Sequence, residues 1–80
     1  MNIVFQHHIL QQRRKEKHLT QEVLAELCGC SPRYLRDLEA GTKTNPSATL
    51  LIRFVYTLDL SVDELMSVQT EDPFDLSSAR

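Results

Sequence analysis

The apolar positions of this chain recur in steps of three and four. Leu24, Ala25 and Cys28 form one stripe, Leu35 and Leu38 a second, and Leu51, Phe54, Val55 and Leu58 a third. That spacing marks amphipathic α-helices. Turn-forming residues between the stripes place the helix ends. Thr20 can N-cap a helix over residues 21–28, its hydroxyl accepting from a first-turn amide. Gly29 stands where that helix must end in a left-handed conformation. Ser31 caps a second helix over residues 32–40, Pro32 takes its first position, where a missing amide is no loss, and Gly41 stops it. A polar loop over 41–46 leads to a helix over 47–58, with Asp59 left-handed after it. Ser61 followed by Glu64 makes a capping box, opening a short helix that carries Val62, Leu65 and Met66. An N-terminal helix is expected over 4–17, with His18 in the turn. β-branched residues are too scattered to suggest a sheet, so the pattern predicts five helices and an all-α fold.

The helices over 21–28 and 32–40, with only a short turn between them, have the spacing of a helix-turn-helix. Two helices this short cannot bury enough surface alone and must lean on the remaining chain. Eighty residues make one domain. A domain of this size buries only about 60% of its unfolded surface, so oligomerisation is expected. No apolar run approaches the ~20 residues of a membrane span, and the first residues, M-N-I-V-F-Q-H-H, do not resemble a signal peptide. The chain is expected in the cytoplasm, away from membranes.

A formal charge of −2 at first argues against a nucleic-acid partner, but the distribution of charge points the other way. Residues 1–58 hold eight basic against five acidic side chains, whereas 59–80 hold one basic against six acidic. A basic body with an acidic rear suits a polyanion-binding surface and a separate second surface. Residues 1–68 are therefore expected to form the binding domain and 69–80 an acidic, loose tail.

The segments L-T-Q-E-V-L-A (19–25), G-C-S (29–31), L-x-x-L-E-x-G (35–41), P-S (46–47) and L-D-L-S-V-D-E-L (58–65) resemble the phage-repressor-like (Cro/CI, XRE-type) helix-turn-helix family over roughly residues 10–65. The resemblance implies a compact five-helix, lambda-repressor-like DNA-binding domain. It also implies a dimeric transcriptional regulator, usually a repressor, with no cofactor.

A recognition helix in the major groove needs long polar side chains near its N-terminus. The second helix of the motif offers Arg33, Tyr34, Arg36 and Asp37 away from Leu35 and Leu38. Arg33 is the expected principal reader, since an arginine fork matches the two acceptors of guanine. Arg36 would read a second base or hold a phosphate, and Tyr34 would meet sugar or a thymine methyl. Asp37 would accept from cytosine or pair with Arg33. Gln21 resembles the family glutamine that grips a phosphate, while Ser31, Thr42, Lys43 and Thr44 flank the helix within reach of the backbone. The resemblance further implies an Arg14–Glu39 pair, expected to tie the first helix to the recognition helix while partly exposed to phosphate; were it at least half wet it would be worth only about 0–1 kcal/mol.

Four departures stand out. Gln6 and Arg13 are polar where relatives are apolar, and Phe5 and Ile9 the reverse, which suggests a rotated first helix. Val23 and Leu27 lie on a face often exposed in the family, and are expected to meet Phe5 and Ile9 in the core. The alternative is a partner surface. Leu50 and Ile52 exceed the usual stripe of their helix, and Leu50, Val62, Met66 and Val68 are the expected dimer surface. Pro32 replaces a base-reading amide side chain.

Cys28 and Cys30 form C-x-C, not the paired spacing of a zinc site, and are expected to pack in the core. No metal site is expected. An enzyme is not expected either: the chain has no Gly-rich phosphate loop and no H-E-x-x-H. The principal expectation is a dimeric repressor on double-stranded DNA. The alternative is an antitoxin-like or scaffold module that binds a protein through the acidic tail, with Phe74 and Leu76 as its apolar residues.

Overall fold

The computed structural model describes residues 2–69, so the acidic tail expected after Gln69, with Phe74 and Leu76, lies outside the described residues. Seven elements follow in order: β1 (Asn2–Phe5), α1 (His7–Glu16), α2 (Gln21–Cys28), α3 (Pro32–Ala40), α4 (Ala48–Leu58), α5 (Val62–Leu65) and β2 (Met66–Gln69). The local signals act as their chemistry requires. Thr20, Ser31, Ser47 and Ser61 each accept from the amide three residues on, at 3.0–3.2 Å. Glu64 closes the capping box by accepting from the Ser61 amide at 3.0 Å. Gly29 and Gly41 take φ of 77° and 83°, and His18 and Asp59 both take 58°. These left-handed residues end α2, α3, the turn after α1, and α4.

One buried cluster holds the helices together. Leu10, Leu24, Ala25, Cys28, Leu35, Leu38, Phe54, Leu58 and Leu65 are wholly inaccessible, and Phe5, Leu50 and Leu60 are nearly so. α2 packs against both α3 and α4, and α1 packs against α3, α4 and α5.

The N-terminus departs from the expected helix. Residues 2–5 form a strand that pairs antiparallel with β2, Phe5 opposite Met66 and Ile3 opposite Val68. The fold is thus five helices plus a two-stranded ribbon, and α1 begins only at His7. Phe5 is buried as a strand residue, not on a helix face. Met66 likewise opens β2 instead of ending α5. Gln6 links the ribbon to α1: its amide donates to the Leu65 carbonyl at 2.6 Å and its side chain to Ser67 Oγ at 2.5 Å.

One further expectation changes, and one departure finds its reason. Val23 and Leu27 stay at the surface, 41% and 58% exposed, because Leu24, Ala25 and Cys28 already fill the core-facing side of α2. Arg13 does not leave a hole where an apolar residue is usual. Its guanidinium donates to the Leu58 and Asp59 carbonyls at 3.0 and 2.8 Å and lies near Glu16 and Glu64. It thereby satisfies carbonyls at the open end of α4.

Candidate nucleic-acid interface

The candidate interface is built on α3. Ser31 and Pro32 fix its start, while Leu35, Leu38 and Glu39 bury one side of it. Arg33 and Arg36 are then left exposed on the other side, in the first and second turns. Tyr34, expected on the same outward face, is half-buried and packs against the core, so only part of it is presented. Asp37 is also half-buried. Among the described residues the ion pairs involve Arg13 and Arg14, not Arg33.

Beyond Gly41 the chain folds back over the end of α3. The amides of Thr42 and Lys43 both donate to the Asp37 carbonyl, at 3.0 and 3.1 Å. This holds Thr42, Lys43 and Thr44, all exposed, close to the C-terminal end of the helix. Ser31 is exposed at the other end, its hydroxyl engaged by the Tyr34 amide. The basic groups Arg33, Arg36 and Lys43 therefore lie along one short helix and its following turn.

Behind α3 is a buried polar network. Arg14 Nε donates to Glu39 Oε2 at 2.6 Å and Arg14 Nη2 to Oε1 at 3.1 Å, a two-pronged pairing. Gln21 Nε2 donates to the same Oε1 at 2.9 Å, and Arg14 Nη1 to the Leu19 carbonyl at 2.7 Å. The side chains of Arg14 and Glu39 are only 9% and 1% exposed. The pair expected from sequence is thus formed, but it is buried and not partly exposed. Removing one member of such a buried pair costs about 3–5 kcal/mol, because the other charge is stranded. Gln21, half-buried at the start of α2, is held by this network with one amide hydrogen already committed.

Sequence reasoning missed His7. Its Nδ1 lies 2.9 Å from the Glu39 carbonyl, so Nδ1 carries the proton and donates, and the ring rests against Gly41. It clamps the start of α1 to the end of α3. The signal in sequence is slight: a histidine in a polar run, 32 residues from its partner.

Leu50, expected at a dimer surface, is buried in the protein's own core, while Val62 and Val68 are exposed and Met66 is half-buried. Cys28 is wholly buried and Cys30 half-buried, both as free thiols. Burial pushes both thiols above the ordinary value of 9.0; a hydrogen bond to Thr57 and the charge of Arg53 partly offset this for Cys28. Their thiolates, the form that attacks or binds metal, are disfavoured. Among the described residues no group of three or more His, Cys, Asp or Glu side chains is arranged to hold a metal ion. No described helix is long and apolar enough to cross a membrane.

This architecture is shared with known proteins. A family model described as helix-turn-helix matches residues 10–65. The chain is 37% identical over 62 residues to the ImmF control region 10 kDa protein of Bacillus phage phi105, covering 76% of this chain and 69% of that one. It is 39% identical over 61 residues to an uncharacterized HTH-type transcriptional regulator, y4dJ, of Sinorhizobium fredii, covering 76% and 78%. Among solved structures, the biofilm master regulator SinR in complex with DNA superposes with a TM-score of 0.68 at 36% identity, covering 72% of this chain and 95% of that one. A buried Arg14–Glu39 pair behind a capped α3, the matching family model and these relatives agree: the chain belongs to the helix-turn-helix family of the XRE, phage-repressor-like type.

Proposed function

We propose that this protein is a DNA-binding transcriptional regulator that acts as a dimeric repressor, reading a two-fold operator with α3. The observation that carries this reading is the placement of Arg33 and Arg36, exposed on a helix whose other side is fixed by Leu35, Leu38 and Glu39. A rigid helix of this length fits the major groove, where an arginine fork distinguishes guanine from the other bases. Arg33 is the principal reader. Arg36 takes a second base or the phosphate beside it.

The surrounding groups position the helix and do not specify sequence. Gln21 offers its remaining amide hydrogen and the free amides of the first turn of α2 to a phosphate. Ser31, Thr42, Lys43 and Thr44 flank α3 and serve the backbone on either side. Tyr34 and Asp37, half-buried, supply the rim of the contact. Repression follows from occupying a promoter, with half-sites about 10 base pairs apart so that two copies face the same side of the duplex. No catalytic step is needed, and the relatives named as regulators support this reading.

Selection from a random double-stranded DNA library at moderate salt tests it. Wild-type protein should enrich a palindromic site, and Arg33→Ala should lose or relax it. The absence of any enriched site, or an unchanged site bound equally well by Arg33→Ala, would overturn the assignment.

A further inference from the structure

The β1–β2 ribbon is only half used by the body it sits on. Phe5 and Ile3 lie two residues apart on β1 and therefore share a face, as do their partners Met66 and Val68. Phe5 is buried and Met66 packs on the core, but Ile3 is 67% and Val68 61% exposed. The apolar face of the ribbon thus continues past the end of the core with no described residue covering it.

The backbone is unfinished in the same place. Gln6 donates to the Leu65 carbonyl in the register of the ladder, so Gln6–Leu65 is a hydrogen-bonded pair. Such pairs alternate in an antiparallel ladder. Val4–Ser67 is therefore also bonded, whereas Ile3–Val68 and Phe5–Met66 are not. The amide and carbonyl of Ile3 consequently point away from β2, off the open edge of β1. Among the described residues the sheet has only these two strands. Beside β1 runs an open groove of about 540 Å³, bounded by Ile3, Val4 and Phe5 and by Gly41, Thr44 and Asn45 of the α3–α4 loop. No residue of β2 lines it, so the groove lies on the open side of β1.

We infer that a second copy of the chain occupies this edge, the two β1 strands pairing antiparallel about a two-fold axis at Ile3. This rests on the dimeric reading above and gives it a surface. The edge is complementary to itself: Ile3 of each copy donates to, and accepts from, Ile3 of the other. Directly opposed residues in an antiparallel pair share a face, so the pairing unites both Ile3–Val68 patches into one apolar row. The open groove beside β1, which no residue of β2 lines, places the partner on β1, and the segment N-I-V-F carries no charged side chain to set against its own copy. Nor does β1 carry the lysine or proline that commonly blunts a free edge.

Two proline substitutions separate the edges, since the Ile3 amide faces out from β1 and the Val68 amide out from β2, and neither serves the ladder between them. Sedimentation equilibrium of the full chain without DNA, from micromolar to millimolar protein, is the measurement. Wild type and Val68→Pro should dimerise and Ile3→Pro should be monomeric with unchanged helical circular dichroism. Ile3→Lys, should the proline variant misfold, places like charges opposite one another and should give a monomer that salt drives back toward dimer. Dimeric Ile3→Pro and Ile3→Lys, a Val68→Pro that is the monomeric one, or a monomeric wild type would each overturn the inference. A wild type that dimerises only after truncation at Gln69 would also overturn it, showing the edge to be covered by the chain's own tail. If Ile3→Pro still binds a palindromic operator as a dimer, the interface is wrong and the DNA reading stands. If the dimer forms through Ile3 but selects no DNA, the reverse holds.

Discussion

Replacing Glu39 by glutamine should be among the most damaging isosteric changes this protein can suffer. The Glu39 carboxylate accepts from Arg14 Nε, Arg14 Nη2 and Gln21 Nε2 at 2.6, 3.1 and 2.9 Å, with its side chain 1% exposed. Glu39→Gln preserves the volume but withdraws the charge and turns one acceptor into a donor facing other donors. The guanidinium of Arg14, 9% exposed, is left without a counter-charge. Stranding a buried charge in this way costs about 3–5 kcal/mol. Against a net stability of ~4–12 kcal/mol for a chain of this length, that is a large part of the whole. At ~4–8 °C per kcal/mol for a domain of this size, the midpoint of thermal unfolding should fall by at least ~12 °C. Arg14→Met with Glu39→Leu should recover most of the loss, since an apolar pair of similar volume often matches a buried ion pair. Thermal and urea unfolding of Glu39→Gln, and of Arg14→Met, Glu39→Leu and their combination as a double-mutant cycle, followed by circular dichroism, measures these costs. A cost below ~1 kcal/mol for Glu39→Gln, the value of a solvated surface pair, would refute the argument.

Other substitutions separate the remaining roles. Arg33→Ala should weaken operator binding by about 1–3 kcal/mol and relax preference at one base pair per half-site, whereas Lys43→Ala should weaken all sequences alike and lower the salt slope by ~1; fluorescence anisotropy over a salt series distinguishes them. Gly29→Ala should destabilise by at least ~1 kcal/mol in urea unfolding, because φ is 77° and the new methyl group would meet the Arg53 guanidinium. Cys28 and Cys30 should react with a thiol reagent more slowly in the native state than in denaturant at pH 8, Cys28 the slower of the two. Because both thiols hold their protons more tightly when folded, their contribution to stability is full below pH 9 and declines as pH rises beyond it; urea midpoints across alkaline pH check the sign.

What could be read from the sequence was local. Each serine or threonine cap acts on an amide three residues away, and each left-handed residue depends on its own backbone, so the ends of α2, α3 and α4 and the start of α5 follow from neighbouring residues. The ribbon does not, because Ile3 finds Val68 only when the whole chain has closed. A four-residue strand with its partner at the other end leaves no period to detect. The same distance hides Arg13 bonding to Leu58 and His7 to the Glu39 carbonyl. The expectation that Val23 and Leu27 join the core follows from the usual fate of apolar residues. Their exposure shows that the side of α2 facing the core holds only Leu24, Ala25 and Cys28. The outward face of α3 was legible for Arg33 and Arg36 but less so for Tyr34, whose ring has apolar area enough to turn toward the core.

The proposed role of Arg33, reading a guanine from α3, is the most directly testable. The direct measurement is a cycle on the selected operator, combining Arg33→Ala with replacement of one guanine per half-site by 7-deazaguanine, which lacks the N7 acceptor. At one guanine position, each change alone should weaken binding and the two together should cost little more than either. Fully additive losses at every guanine would contradict it and move the reading residue elsewhere on the helix.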